Sequence, residues 1–125
     1  MKLRLELFVD NIEKSVEFYS DILEFNIPKE INKGYIPVSN GEVVLGLGEM
    51  KKLPDHHPIK NTGFDQQMGL GVEIVLEVED IENIYNKVVA KGYPIQTELT
   101  QRHWGMADFR IMDPDGYYLR ITSSD

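Results

Sequence analysis

A strand, a capping residue and an amphipathic helix stripe occur twice in this chain, displaced by 69 positions, and this repeat limits the available folds more than any other feature. Leu3, Leu5, Leu7 and Val9 alternate with Arg4, Glu6 and Phe8, the period-two pattern of a half-buried strand. Asp10 or Asn11 then offers a side-chain oxygen to cap a helix, with Glu13 in capping-box position relative to Asp10. Ile12, Val16, Tyr19 and Leu23 follow at helical spacing, and Pro28 forbids continuation. In the second copy Val72 to Val78 alternates, Glu79 and Asp80 supply the cap, and Ile81, Ile84, Tyr85 and Val88 form the stripe that Gly92 ends. The offset pairs Leu7 with Leu76, Ile12 with Ile81 and Arg4 with Glu73.

Further strand-like stretches come after each helix: Tyr35 to Ser39 and Val43 to Leu47 in the first copy, Phe109 to Met112 and Tyr117 to Thr122 in the second. Asn40-Gly41 and Asp113-Pro114-Asp115-Gly116 have the chemistry of tight turns. Each copy therefore reads as strand, helix, then two or three strands. A helix covers one face of such a sheet, and a copy of this size buries little apolar surface by itself, so the two must share one α+β domain spanning residues 1–125. Module 1 covers about 1–50 and module 2 about 71–125. Between them residues 49–70 carry prolines, glycines, paired histidines and paired glutamines without periodicity, the character of a long loop.

Composition narrows the class of partner. The chain of 125 residues holds 13 Lys+Arg against 21 Asp+Glu, a formal charge of -8, which disfavours a nucleic-acid backbone as partner. Residues 1–62 hold 8 basic and 10 acidic groups, while 63–125 hold 5 and 11, so the acidity falls mainly in the second half, where it serves solubility or attracts a cationic ligand. No cysteine occurs, which removes disulfides, thiolate metal sites and thiol nucleophiles. The N-terminal stretch alternates and lacks the continuous apolar run of a signal peptide, and no run has the length of a membrane span; a cytoplasmic protein without a membrane partner is expected.

The phrase Asn11-Ile12-Glu13-Lys14-Ser15-Val16-Glu17-Phe18-Tyr19 and the turn Asp113-Pro114-Asp115-Gly116, at this separation, resemble the vicinal oxygen chelate superfamily of glyoxalases, bleomycin-resistance proteins and extradiol dioxygenases. The resemblance implies two βαβββ modules whose mixed sheets curl around a central cavity, within a homodimer. Metal-dependent members carry His, Glu or Gln ligands on the first and last strands of each module, and these positions map to Arg4, Gly46, Glu73 and Arg120 here. Arginine has no lone pair to donate and glycine no side chain, so only Glu73 could bind a metal, and no cofactor is expected. The resemblance instead implies an ion pair or triad of Arg4, Glu73 and Arg120 in the metal's place, either plugging the cavity or meeting a ligand.

A second resemblance is narrower. His103-Trp104-Gly105 before the Asp-Pro-Asp-Gly turn is similar to the Trp-Gly phrase of metal-free bleomycin-resistance proteins, whose tryptophan lines a drug-binding groove; an indole stacks on flat rings and attracts cations. Tyr118 shares a strand face with Arg120. Gly46 and Gly48 leave room on the face of Arg4. Glu24 stands where the family has Gly, and it takes a left-handed helix end at greater steric cost. The resulting expectation is a metal-free protein that binds a small molecule, such as a cationic or aromatic drug in antibiotic resistance, through Arg4, Glu73, Trp104, Tyr118 and Arg120. The competing reading is a divalent-metal lyase, isomerase or dioxygenase drawing on His56, His57 or His103.

Overall fold

The computed structural model describes residues 1–32, 34–60 and 67–124. It divides into two compact units, residues 1–66 and 67–125, each with one sheet and one main helix. In the first, β1 (Leu5–Val9), α1 (Ile12–Glu17), β2 (Tyr35–Asn40) and β3 (Val43–Glu49) form a sheet of order β1-β3-β2. β1 runs parallel to β3, and β2 pairs antiparallel with it through a two-residue turn at Gly41 and Glu42. Leu7, Val9, Ile36, Val38, Leu45 and Leu47 are buried, one side chain in two along each strand, which puts the apolar set on one face.

Asn11 rather than Asp10 caps α1: its Oδ1 accepts the Lys14 amide at 3.0 Å. The helix then widens into a π turn at Phe18–Ile22. The buried stripe becomes Ile12, Ser15, Phe18, Tyr19 and Leu23, with Val16 only half-buried. Phe18, Tyr19 and Phe25 stack edge to face, with centroids 4.8 and 5.6 Å apart. Glu24 does adopt the left-handed conformation, with φ 59°, against the steric expectation. What holds it is local: the Phe25 amide donates to the Tyr19 carbonyl at 2.8 Å, Phe25 is buried, and Asn40 Nδ2 donates to the Leu23 and Glu24 carbonyls at 3.4 Å. Where the family pattern implies a fourth strand, the described residues of the first unit show isolated bridges, Asn26 to Ser39 and Asn32 to Tyr35.

The second unit holds β4 (Ile74–Val78), α2 (Ile81–Ala90), β5 (Thr97–Gln101), β6 (Ala107–Met112) and β7 (Tyr118–Ser123), in sheet order β4-β7-β6-β5. β5 was not anticipated, since its polar sequence Thr-Glu-Leu-Thr-Gln lies at a sheet edge with its side chains half-buried or exposed. Asp80 Oδ1 caps α2 by accepting the Asn83 amide at 3.1 Å, and Gly92 with φ 73° ends it. Ile74, Leu76, Val88, Phe109, Ile111, Leu119 and Ile121 are buried, and Tyr85 of α2 meets Phe109 edge to face at 5.1 Å. In the Asp-Pro-Asp-Gly turn the buried Asp113 accepts the Asp115 and Tyr117 amides, both at 2.9 Å, so its carboxylate locks the entry into β7. Of the long loop, residues 50–60 form short turns, and 61–66 lie outside the described residues. Among the described residues no helix is long and apolar enough to cross a membrane.

Candidate functional site

With the apolar residues of β6 and β7 turned toward α2, their alternate residues occupy the opposite face. Asp108, Arg110 and Met112 of β6 stand there opposite Thr122, Arg120 and Tyr118 of β7. Asp108 is fully buried, and its Oδ1 accepts from Arg102 Nε at 3.0 Å and Nη2 at 2.7 Å. Arg110 Nε lies 3.5 Å from the same oxygen, and Arg120 Nη1 lies 3.9 Å from Oδ2. Arg120 Nε in turn faces Glu73 Oε1 at 3.2 Å, and Arg110 Nη1 donates to the Tyr118 hydroxyl at 3.3 Å. Burial alone would push the Asp108 carboxyl up, but the hydrogen bonds from Arg102 and the adjacent Arg110 guanidinium hold it below its ordinary value. The bond to Tyr118 is the largest influence raising Arg110.

Glu73, Tyr118 and Arg120 are thus brought into one cluster. The cluster also contains Arg102, Asp108 and Arg110, none of which the sequence reading singled out. The signal for Asp108 and Arg110 was their alternation with Phe109 and Ile111; Arg102 gave none, because it lies just beyond the end of an edge strand. Trp104 occupies the tip of the turn between β5 and β6, 46% exposed, with His103 edge-on at 4.7 Å. The turn is closed by Arg102 donating to the Met106 carbonyl at 2.7 Å and Gly105 to the Arg102 carbonyl at 3.1 Å. One residue, Arg102, therefore joins the indole-bearing turn to the buried carboxylate.

Arg4 belongs to the first unit, where its Nη2 donates to Glu6 Oε1 at 2.9 Å from an exposed position. The Tyr35 hydroxyl donates to the same oxygen at 3.3 Å. The room left by Gly46 is filled from within: a Cβ there would strike the Glu6 carboxylate and come within 2.5 Å of the Tyr35 hydroxyl. At Gly48 a Cβ would lie 3.0 Å from the Phe8 ring. The expected opening on this face is therefore occupied by Glu6, Tyr35 and Phe8, because the strand glycines admit long side chains from neighbouring strands.

The donor set does not fit a divalent metal. Among the described residues no group of three or more His, Asp or Glu side chains is placed to hold one. At the four positions mapped from the resemblance, Gly46 has no donor, Arg4 and Arg120 are cations, and the Glu73 carboxylate faces Arg120. His56 and His57 lie in the turns after β3, where His57 Nδ1 accepts the Ile59 amide at 3.3 Å.

A helix on one face of a mixed sheet, twice over, with charged residues on the other face of the second, defines the class: a paired β-α-β-β protein whose polar sheet faces are available for chemistry. A sequence model of the Glyoxalase/Bleomycin resistance protein/Dioxygenase superfamily matches residues 3–121, and the chain belongs to that superfamily. A probable lactoylglutathione lyase from Synechocystis sp. is 30% identical over 122 residues, spanning 93% of this chain and 89% of that protein. Among solved structures, a glyoxalase/bleomycin resistance protein/dioxygenase from Nocardioides shares the fold with a TM-score of 0.75 at 17% identity, covering 98% of this chain and 83% of its own. Lactoylglutathione lyase from Agrobacterium tumefaciens does so at 0.73 and 16% identity, covering 99% and 93%.

Proposed function

We propose that this chain is a small-molecule-binding protein that works without a catalytic divalent metal and takes its ligand on the polar face of β6 and β7. One observation carries the reading: a charged cluster on the sheet face away from the helix leaves buried polar atoms unbonded. Asp108 Oδ2, Arg110 Nε and Arg120 Nε are buried without a hydrogen-bond partner. Each lies 3.2–3.9 Å from an opposite charge, in an ion pair without a hydrogen bond, so part of the cost of about 1–3 kcal/mol for an unmet buried polar group remains. A ligand that completes the bonds recovers that cost.

Glu73, Tyr118 and Arg120 are the contact residues within the cluster, and Trp104 offers an exposed ring for stacking an aromatic ligand at the neighbouring turn. Arg4 is assigned as a separate candidate contact on the first unit's own sheet, beside Glu6. The working form is a homodimer in the cytoplasm, and sequestration of an aromatic drug is the use we assign to it. Metal analysis of the dialysed protein, paired with a thermal-shift screen of small molecules, tests the proposal. Stoichiometric zinc, nickel, manganese or iron that resists dialysis would overturn the metal-free reading in favour of a lyase such as the Synechocystis relative's name states. A broad screen with no stabilising compound would overturn binding.

A further inference from the structure

We infer that the group recognised on this face is an anion, a carboxylate or phosphate of the ligand, held by Arg110 and Arg120 with the Tyr118 hydroxyl. The inference rests on the small-molecule reading above and names its ligand class. Charge is the first ground. Three guanidiniums, of Arg102, Arg110 and Arg120, meet two carboxylates, of Asp108 and Glu73, which leaves one positive charge in surplus. All three arginines of residues 63–125 stand here, so the contacting cluster carries a positive surplus within a half that is acidic by count, Glu77 of β4 opposite Thr122 being the further carboxylate on the same face.

Register is the second ground. Arg110 and Arg120 are direct cross-strand partners in the antiparallel pair, an arrangement that destabilises a sheet by placing like charges opposite each other. Asp108 beside them offsets the repulsion only in part, since its Oδ1 is taken up by Arg102 at 2.7 and 3.0 Å. A plug made for stability would match each carboxylate with one cation; the extra arginine, set opposite another, breaks a local rule in the way functional sites do.

Donor inventory is the third. A guanidinium carries five N–H donors; Arg110 commits one to Tyr118, its Nε and that of Arg120 are turned to Asp108 and Glu73 in ion pairs without a hydrogen bond, and further Nη donors remain for a ligand. Tyr118 accepts the bond from Arg110, which leaves its own proton to donate outward. The Arg110 and Arg120 side chains are 24% and 23% exposed, enough for a ligand to reach them and dry enough for charge-assisted bonds to be strong. Asp108 is then a positioning residue, holding the arginines in place and keeping the site singly rather than doubly charged.

The test uses the intact chain and three probes: benzoate, inorganic phosphate, and benzylamine as the cationic counterpart of benzoate. Binding is followed by NMR at the side-chain Nε–H resonances of Arg110 and Arg120. Benzoate or phosphate should titrate both resonances to saturation, and whichever binds more tightly identifies the group. Arg110→Gln or Arg120→Gln should weaken this about tenfold, Tyr118→Phe about three- to tenfold, and Lys29→Gln at an exposed site should leave it unchanged. Tyr118→Phe keeps the ring and all charges, so it decides the matter if an arginine variant does not fold. Shifts that never saturate, or that Lys29→Gln reduces as much as Arg120→Gln, would overturn the inference. Saturation by benzylamine or by neutral compounds with none by either anion would overturn the anion class and leave small-molecule binding standing. If no probe and no screened compound binds, both fall.

Discussion

Replacing Asp108 by Asn tests the balance of charge on which the site depends. The carboxylate is wholly buried, accepts two bonds from Arg102 and lies within 4 Å of two further guanidiniums. Asn keeps the shape and one acceptor but removes the charge, leaving three arginines facing one another with only Glu73 to balance them. Breaking a buried ion pair on one side costs about 3–5 kcal/mol. Side chains 22–24% exposed can recover some water, so the lower end applies, about 3 kcal/mol. For a chain of this size that corresponds to a fall in melting temperature of about 10 °C. Urea unfolding followed by far-UV circular dichroism measures it, at pH 7 and again in acid. The folded carboxyl lies below its ordinary value, so its stabilisation is complete above about pH 4, where the unfolded group titrates, and disappears as pH falls through the folded value. The gap between Asp108→Asn and the parent should therefore be full at pH 7 and close in acid. A gap under about 1 kcal/mol at pH 7, the size of an exposed ion pair, would refute the argument, as would a gap that persists unchanged to pH 2.

Three other outcomes are expected. Gly46→Ala should cost about 1–3 kcal/mol, because the new methyl displaces the Glu6 carboxylate and crowds the Tyr35 hydroxyl; urea midpoints in a Glu6→Ala background should show a smaller loss. Glu24→Gly should stabilise by about 0.5–1 kcal/mol, the relief of a left-handed φ less the entropy of glycine, measured as a raised urea midpoint. Tyr93, whose hydroxyl donates to the Met112 carbonyl at 2.6 Å, is pushed up to about 12 by burial and by the charge of Asp113. An alkaline absorbance titration should show a tyrosine phase near pH 12 that Tyr93→Phe removes, and the stability tied to this proton should hold below about pH 10 and be lost as pH rises through 12.

The elements were legible where local chemistry decides them. Alternation placed β1, β2, β3, β4, β6 and β7, and a side-chain oxygen before an apolar stripe placed both helices, since period and capping are properties of a few adjacent residues. β5 and the π turn escaped because neither has a local signature: one is an edge strand of polar residues, the other a change of pitch within an apolar stripe. Glu24 shows the reverse case, a residue whose own preference was read correctly and overridden by the buried Phe25 and the bonds from Asn40.

For the site, the sequence by itself determined that three of the four positions mapped from the family, Arg4, Gly46 and Arg120, offer a metal no donor, and that no thiolate is present. It also put Tyr118 and Arg120 on one face, because period two is local. The sign of the charge a ligand would meet was decided only by tertiary structure. Counting made residues 63–125 acidic, but strand register set Arg110 against Arg120, and the turn bearing Trp104 carried Arg102 back onto Asp108. Electrostatic interaction falls with distance through a medium whose screening depends on burial, so which charges are neighbours and which face water matters more than their sum.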